Sequence, residues 1–163
     1  MSRPLLSLFV CATLLAGGCS PQPEARASQL ASIDEFFEQD ELTILASDGS
    51  SHAFDIYLAT SIEQQRRGLM FVRALPEKTG MLFVYDDEAL HSMWMKNTYI
   101  PLDIVFARRD GTVSSVIHDA QPLSLKSLSS IEPVTFVLEL NAGTARRYKI
   151  GAGSRLDWIR KTN

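Results

Sequence analysis

The pattern that most restricts the fold is a period-two alternation of apolar residues broken by Asp-Gly pairs. Leu42, Ile44 and Ala46 alternate with Thr43 and Leu45, Asp48-Gly49 intervenes, and His52, Phe54, Ile56 and Leu58 then alternate with Ala53, Asp55 and Tyr57. Successive side chains of a strand point to opposite faces, so this spacing predicts two strands. Asp-Gly between them supplies the positive φ that a tight hairpin needs. The signature returns at Asp110-Gly111, between strands expected over Leu102–Ala107 and Thr112–His118. Further strands are expected over Met81–Tyr85, Ser92–Met95, Val134–Leu140 and Leu156–Ile159, with a polar, Ser-rich loop over Gln121–Ile131. Thr60-Ser61-Ile62-Glu63 resembles a capping box, opening a helix that Gly68 ends. Asn141 is placed to cap a second short helix, whose Arg146, Arg147 and Lys149 favour its C-terminal end. About eight strands beside one or two short helices point to an α+β, β-rich domain built on a curved, mainly antiparallel sheet or partial barrel.

The N-terminus reads as an address rather than as part of that domain. Arg3 precedes an apolar run from Leu5 to Ala16, which is shorter than the roughly 20 residues a membrane-spanning helix needs. Leu14-Leu15-Ala16-Gly17-Gly18-Cys19 then resembles a lipobox, with Ala16 where Leu is usual. This predicts a signal peptide over residues 1–18, lipid on Cys19 as the new N-terminus, a tether over 19–40 stiffened by Pro21 and Pro23, and a single globular domain over 41–163. Cleavage after Ala25-Arg26-Ala27 is the alternative, but it leaves Cys19 unexplained. A short helix carrying Phe36 and Phe37 is expected to dock on the domain. The expected location is exported and membrane-anchored, facing the periplasm, with the outer membrane preferred to the inner.

Composition excludes several function classes. The chain is 45% apolar over 163 residues, enough for one real core. Its formal net charge is −3, and Lys and Arg form no run longer than a pair, so no nucleic-acid partner is expected. Cys11 and Cys19 are the only cysteines. The domain therefore has neither a disulfide nor a thiol nucleophile. It carries no Gly-x-Ser-x-Gly, no phosphate-binding glycine loop and no paired-histidine zinc motif. No cofactor or resident metal is expected.

The densest candidate segment is Met93 to Asp103. Pro101 forces Ile100 into an extended conformation, so Lys96, Asn97 and Thr98 should form a tight loop beside Trp94. The competing reading is that Asn97 and Thr98 only satisfy the turn and Trp94 is core. Strand phase sets Asp103 opposite Leu102, Ile104 and Phe106, and sets Glu139 with Thr135 and Val137 opposite Val134, Phe136, Leu138 and Leu140. A carboxylate on a partly apolar face needs a partner, and Lys96 is nearest in sequence to Asp103. The expectation is that Lys96, Asp103 and Glu139 converge on one pocket, with a structural ion pair as the plainer alternative. Two flanking carboxylates also permit an envelope hydrolase using Asp103 and Glu139 as acid and base. His91, Met93 and Met95 alternate, so a strand face with an imidazole and two thioethers is a further possibility for Cu(I), against simple core filling.

Three blocks carry a family resemblance. They are Glu63-Gln64-Gln65-Arg66-Arg67-Gly68-Leu69-Met70 with Gly80-Met81-Leu82-Phe83; Trp94-Met95-Lys96-Asn97-Thr98 with Ile100-Pro101-Leu102-Asp103; and Val137-Leu138-Glu139-Leu140-Asn141-Ala142-Gly143 with Gly151 and Gly153. In this order, and spanning about residues 41–160, they resemble the family called domain of unknown function 192. The resemblance implies a small β-rich fold and an exported protein, and no established reaction, substrate or cofactor. The residues thus favour a binding over a catalytic role, centred on Trp94, Lys96, Asn97 and Thr98 with Asp103, Glu139 and Asn141. The membrane, through the lipid anchor, and an envelope protein or cell-wall glycan are the expected partners.

Overall fold

Both Asp-Gly pairs make the turns that the alternation calls for. Gly49 and Gly111 take φ values of 86° and 83°, conformations open to glycine and costly for other residues. The Asp48 carboxylate accepts the Ser50 N–H at 3.0 Å, closing the first turn around its own backbone. The computed structural model describes residues 33–158. The expected signal peptide, Cys19, the tether up to residue 32 and Ile159 lie outside the described residues.

β1 (Glu38–Leu45) and β2 (Ser51–Ala59) pair antiparallel, with Leu42 opposite Phe54. The chain continues through α1 (Ile62–Arg67), β3 (Thr79–Ala89), β4 (Ser92–Met93), β5 (Leu102–Ala107), β6 (Val113–Ala120), β7 (Leu128–Ser129), β8 (Val134–Asn141), α2 (Thr144–Arg147) and β9 (Arg155–Asp157). Seven strands form one sheet in the order β6-β5-β8-β3-β2-β1-β9. Only β2 and β3 run parallel, and the crossover between them carries α1. β4 and β7 form a separate two-stranded ribbon. The large sheet curls until its edges meet at one end. Thr112 bridges Arg155, the Val113 N–H donates to the Ser154 carbonyl at 2.7 Å, and the Leu156 N–H donates to the Gly111 carbonyl at 2.8 Å.

Curling creates two cores. Every strand of the sheet contributes to the inner one, through residues such as Leu42, Phe54, Leu82, Val105, Leu138 and Leu156. The outer one lies on the convex face, where Phe83, Ile104 and Val137 are covered by Leu69 and Val72 from the connection after α1 and by Met95. The central strands are therefore buried on both sides, and all six residues of β5 are buried. A Phe or Leu side chain fully buried in such a layer contributes about 1.5–3 kcal/mol.

Four details differ from the sequence expectation. The helix cap lies one residue later: the Ser61 hydroxyl accepts the Gln64 N–H at 3.2 Å, and the Gln64 side chain accepts the Ser61 N–H at 3.1 Å. Gly143, not Asn141, stands at the N-cap of α2. The strand expected over Ser92–Met95 ends at Met93, and the expected loop over Gln121–Ile131 contains β7. The folded unit also begins before residue 41. β1 starts at Glu38, and Ile33 and Phe37 are buried in the outer core around a helical turn at 33–34.

The sheet closure sets a sharp contrast between glycines. A Cβ on Gly111 would sit 2.2 Å from the Leu156 carbonyl oxygen, whereas one on Gly151 meets nothing within 4 Å. Gly111→Ala is expected to destabilise the domain by at least about 1–3 kcal/mol, and Gly151→Ala to stay within about 0.5 kcal/mol of wild type, in denaturant unfolding. Equal effects would show that the seam between β6 and β9 does not constrain the fold.

Candidate functional site

Strand register decides which candidates can meet. On adjacent strands β5 and β8, Ile104 stands opposite Glu139 and Asp103 opposite Leu140. Directly opposed residues share a face, so Glu139 points to the convex side and Asp103 to the interior. The two acids lie on opposite faces of the sheet. This overturns the expected convergence of Lys96, Asp103 and Glu139, and with it the pairing of Asp103 and Glu139 as acid and base of a hydrolase.

Asp103 is a structural residue. It is fully buried, its Oδ2 accepts the Ala145 N–H at 2.9 Å, and its Oδ1 accepts the Asp119 N–H at 3.0 Å. The imidazole Nδ1 of His118 lies 3.7 Å from the same Oδ1. Gly143 has no side chain with which to cap α2, so Asp103 supplies the missing acceptor from a neighbouring strand. Asn141 is also a brace: its Nδ2 donates to the carbonyls of Leu75 and Pro76, both at 3.0 Å, and pins the α1–β3 connection to the end of β8.

Glu139 has the opposite character. It is buried under the convex face, where it accepts no hydrogen bond among the described residues. Burial pushes its carboxyl up to about 8, so it is mostly protonated at neutral pH. Over it lies a cleft lined by Arg67, Gly68, Met70, Trp94, Lys96 and Thr98. The cleft encloses about 20 Å³. That is room for about one water molecule, far below the roughly 300–1,000 Å³ of pockets that swallow a small ligand.

The loop after β4 builds the mouth. The Thr98 N–H donates to the Met95 carbonyl at 3.1 Å, and Asn97 takes a left-handed φ of 57°, as the predicted tight turn requires. The Asn97 carbonyl accepts the Phe71 N–H at 2.7 Å, and its Nδ2 lies 3.9 Å from the Met70 sulfur, so Asn97 ties this loop to the one after α1. Trp94 is 49% exposed, and the Lys96 ammonium sits 5.0 Å from its ring centroid. Trp94, Lys96, Thr98 and Glu139 thus come together; Asn97 braces them, and Asp103 and Asn141 lie elsewhere. Arg66, Arg67 and Met70 complete the cleft and were missed. No local signal marks them, because their place over Glu139 is set by the crossover between β2 and β3.

The alternation of His91, Met93 and Met95 is not carried by one strand. Met95 is fully buried in the outer core, and the Met93 sulfur faces the Tyr85 hydroxyl at 3.7 Å. His91 stacks on the Tyr85 ring at 3.6 Å, and burial pulls its pKa down. The open strand face assumed for Cu(I) is therefore absent among the described residues, and both thioethers fill core. A larger hollow of about 300 Å³ lies along the β6–β9 seam, lined by residues including Arg109, Gly111, Arg155 and Trp158, and it holds none of the candidates.

Comparison with known proteins agrees with this architecture. A family model described as "Uncharacterized ACR", domain of unknown function 192, matches residues 43–158. A crystal structure from Sinorhizobium meliloti 1021, described as a candidate transcription regulator, is 38% identical with a TM-score of 0.73, covering 74% of this chain and 94% of that one. A protein of unknown function from Novosphingobium aromaticivorans DSM 12444 is 34% identical with a TM-score of 0.72, covering 75% of this chain and 86% of that one. No curated protein matches.

The two acids should respond differently to substitution. Asp103→Ala strips acceptors from two N–H groups and is expected to cost about 1–3 kcal/mol in unfolding experiments. For Glu139, the folded protein keeps a proton that the unfolded chain loses above its ordinary value of 4.5. This group therefore makes stability fall as pH rises from about 5 to 8, by up to about 1.4 kcal/mol per pH unit. Glu139→Gln should remove that slope, and parallel stability–pH curves for the two proteins would refute the assignment.

Proposed function

The chain belongs to the domain of unknown function 192 family, and from that premise we propose that it is an envelope-anchored binding domain whose recognition face is the Trp94–Thr98 loop. The observation that carries this reading is the half-exposed Trp94, with Lys96 over its ring, at the mouth of a cleft too small to enclose a substrate. An aromatic ring held by a cation on a rigid loop offers a stacking platform to a sugar or to a partner's side chain. The protonated Glu139 beneath it is the one carboxylate lining the cleft among the described residues, so the cleft lacks the second acid that acid–base hydrolysis needs. The reading therefore favours binding over catalysis, with an envelope protein or a cell-wall glycan as the partner. Lipid on Cys19 would hold the domain at the membrane. The Sinorhizobium relative's description does not carry over, because this chain has a net charge of −3 and no basic run longer than a pair.

Capture from detergent-solubilised native membranes tests the face. Wild type should retain envelope components that Trp94→Ala loses by about tenfold or more, a change of 1.4 kcal/mol in binding. Because Trp94 is half-exposed, the variant should unfold within about 1 kcal/mol of wild type. Identical capture by both proteins would overturn the proposal.

A further inference from the structure

The chain has 19 Asp and Glu against 16 Lys and Arg, yet three stretches around its loops hold no acid at all. Residues 66–76, 90–102 and 121–131 contain Arg66, Arg67, Arg73, Lys96 and Lys126 and no Asp or Glu. The fold lays these loops side by side. The Phe71 N–H donates to the Asn97 carbonyl at 2.7 Å, the Leu123 N–H to the Thr98 carbonyl at 3.1 Å, and the Met95 N–H to the Ser124 carbonyl at 3.0 Å. β4 from the second loop pairs with β7 from the third.

Of the seven described Lys and Arg outside these stretches, Arg108, Arg147 and Lys149 pair with Glu132, Glu77 and Asp48. None of the five loop cations is in an ion pair among the described residues. Arg67, Arg73 and Lys96 instead lie over the rings of Phe36, Tyr99 and Trp94. Glu139, below the face, is mostly uncharged at neutral pH and offsets little of this charge.

The apolar surface is concentrated in the same place. Nine large hydrophobic side chains are exposed among the described residues, and seven of them belong to these loops. Leu125, Leu123 and Phe71 are 70%, 58% and 53% exposed. Phe71 and Leu123 hold φ values of 69° and 62°, a region that bulky side chains enter only under constraint. The backbone is thus held in an unfavourable conformation where apolar groups face solvent.

We propose that this face rests on an anionic phospholipid surface, with Trp94, Phe71, Leu123 and Leu125 at the headgroup boundary and the five cations against lipid phosphates. Exposed aromatic and leucine side chains ringed by Lys and Arg are the composition of interfacial membrane contacts. The point where the chain enters the domain favours lipid over a protein partner. Ile33 packs into the outer core, the Gln64 side chain donates to the Phe36 carbonyl at 3.0 Å, and Arg67 covers the Phe36 ring. The chain therefore joins the domain at the rim of this face. From Cys19 to Ile33 it can span at most about 50 Å, so an anchor at Cys19 keeps the face within reach of the bilayer. A tether also raises local concentration, so weak lipid contacts suffice. The inference rests on the anchored binding reading and names the occupant of the same face.

The test uses the full-length lipidated protein carrying Trp158→Phe, which leaves Trp94 as the single tryptophan. It is reconstituted into phosphatidylcholine vesicles with and without phosphatidylglycerol, each containing acyl-brominated lipid. Trp94 emission should shift to the blue and be quenched about twofold or more in the anionic vesicles, and Arg73→Ser with Lys96→Ser and Lys126→Ser should relieve the quenching. If Trp158→Phe fails to fold, the same difference is read from the two-tryptophan protein with Trp94→Phe as the blank. Equal, unquenched emission in both vesicle types overturns the lipid assignment. If Trp94-dependent capture from native membranes persists, a protein or glycan occupant takes its place and the binding reading stands. If capture is also indifferent to Trp94, both fall, and a purified chain without lipid on Cys19 removes the anchor on which both depend.

Discussion

The register between β5 and β8 fixes the chemistry on both faces of the sheet. With Ile104 opposite Glu139 and Asp103 opposite Leu140, one carboxyl enters the interior and its neighbour faces the convex side. A slip of one residue would exchange every side chain between the faces. The interior position gives Asp103 two backbone donors and makes it the cap of α2. The convex position gives Glu139 no donor and keeps its proton on. Two acids that look equivalent in sequence thus do unrelated jobs because one hydrogen-bonded ladder cannot shift.

Much of this fold was legible in the chain. The Asp-Gly turns, the alternation in β1 and β2 and the stop at Gly68 are local signals, and the structure follows them. Strand phase also placed Asp103 apart from Leu102, Ile104 and Phe106, and grouped Glu139 with Val137. What phase could not supply was the relation between the two strands, because every residue of β5 is buried and neither face reads as solvent. The shared pocket was inferred from chemistry, and the register was the missing fact. The second helix cap differs for a similar reason. Asn141 is a good cap residue by type, but its amide is claimed by the Leu75 and Pro76 carbonyls across the fold, and a distant Asp takes over the helix.

The candidate site was half legible. Trp94, Lys96 and Thr98 stand where their turn predicted, because Asn97 accepts the left-handed conformation and Pro101 keeps the next residue extended. Arg66, Arg67 and Met70 were invisible as site residues, since they come from a helix end whose position over Glu139 depends on the β2–β3 crossover. Parallel crossovers set such relations at long range, and no local pattern reports them. The methionines show the converse. Their clustering and alternation suggested soft ligands, but they fill the irregular space where loops cover a convex sheet, a role their flexible thioethers suit.

The same geometry explains why a surface of this kind sits above Glu139. The convex face of β3, β5 and β8 is apolar and must be covered, and the sheet has curled away from it to close its own seam. Three connections do the covering. Their inward residues, Leu69, Val72 and Met95, complete the outer core. Their outward residues are then free of packing duty, and a chain with more acids than bases had every opportunity to place acids there. Instead the charged residues of stretches 66–76, 90–102 and 121–131 are all basic, large apolar side chains stand exposed beside them, and two of those hold strained backbone. A charged Glu139 below would draw those cations inward; burial keeps it protonated and leaves their charge for whatever approaches from outside. On the proposed reading, the buried acid and the acid-free stretches are two parts of one arrangement, in which the covering layer of a small barrel would double as its contact surface.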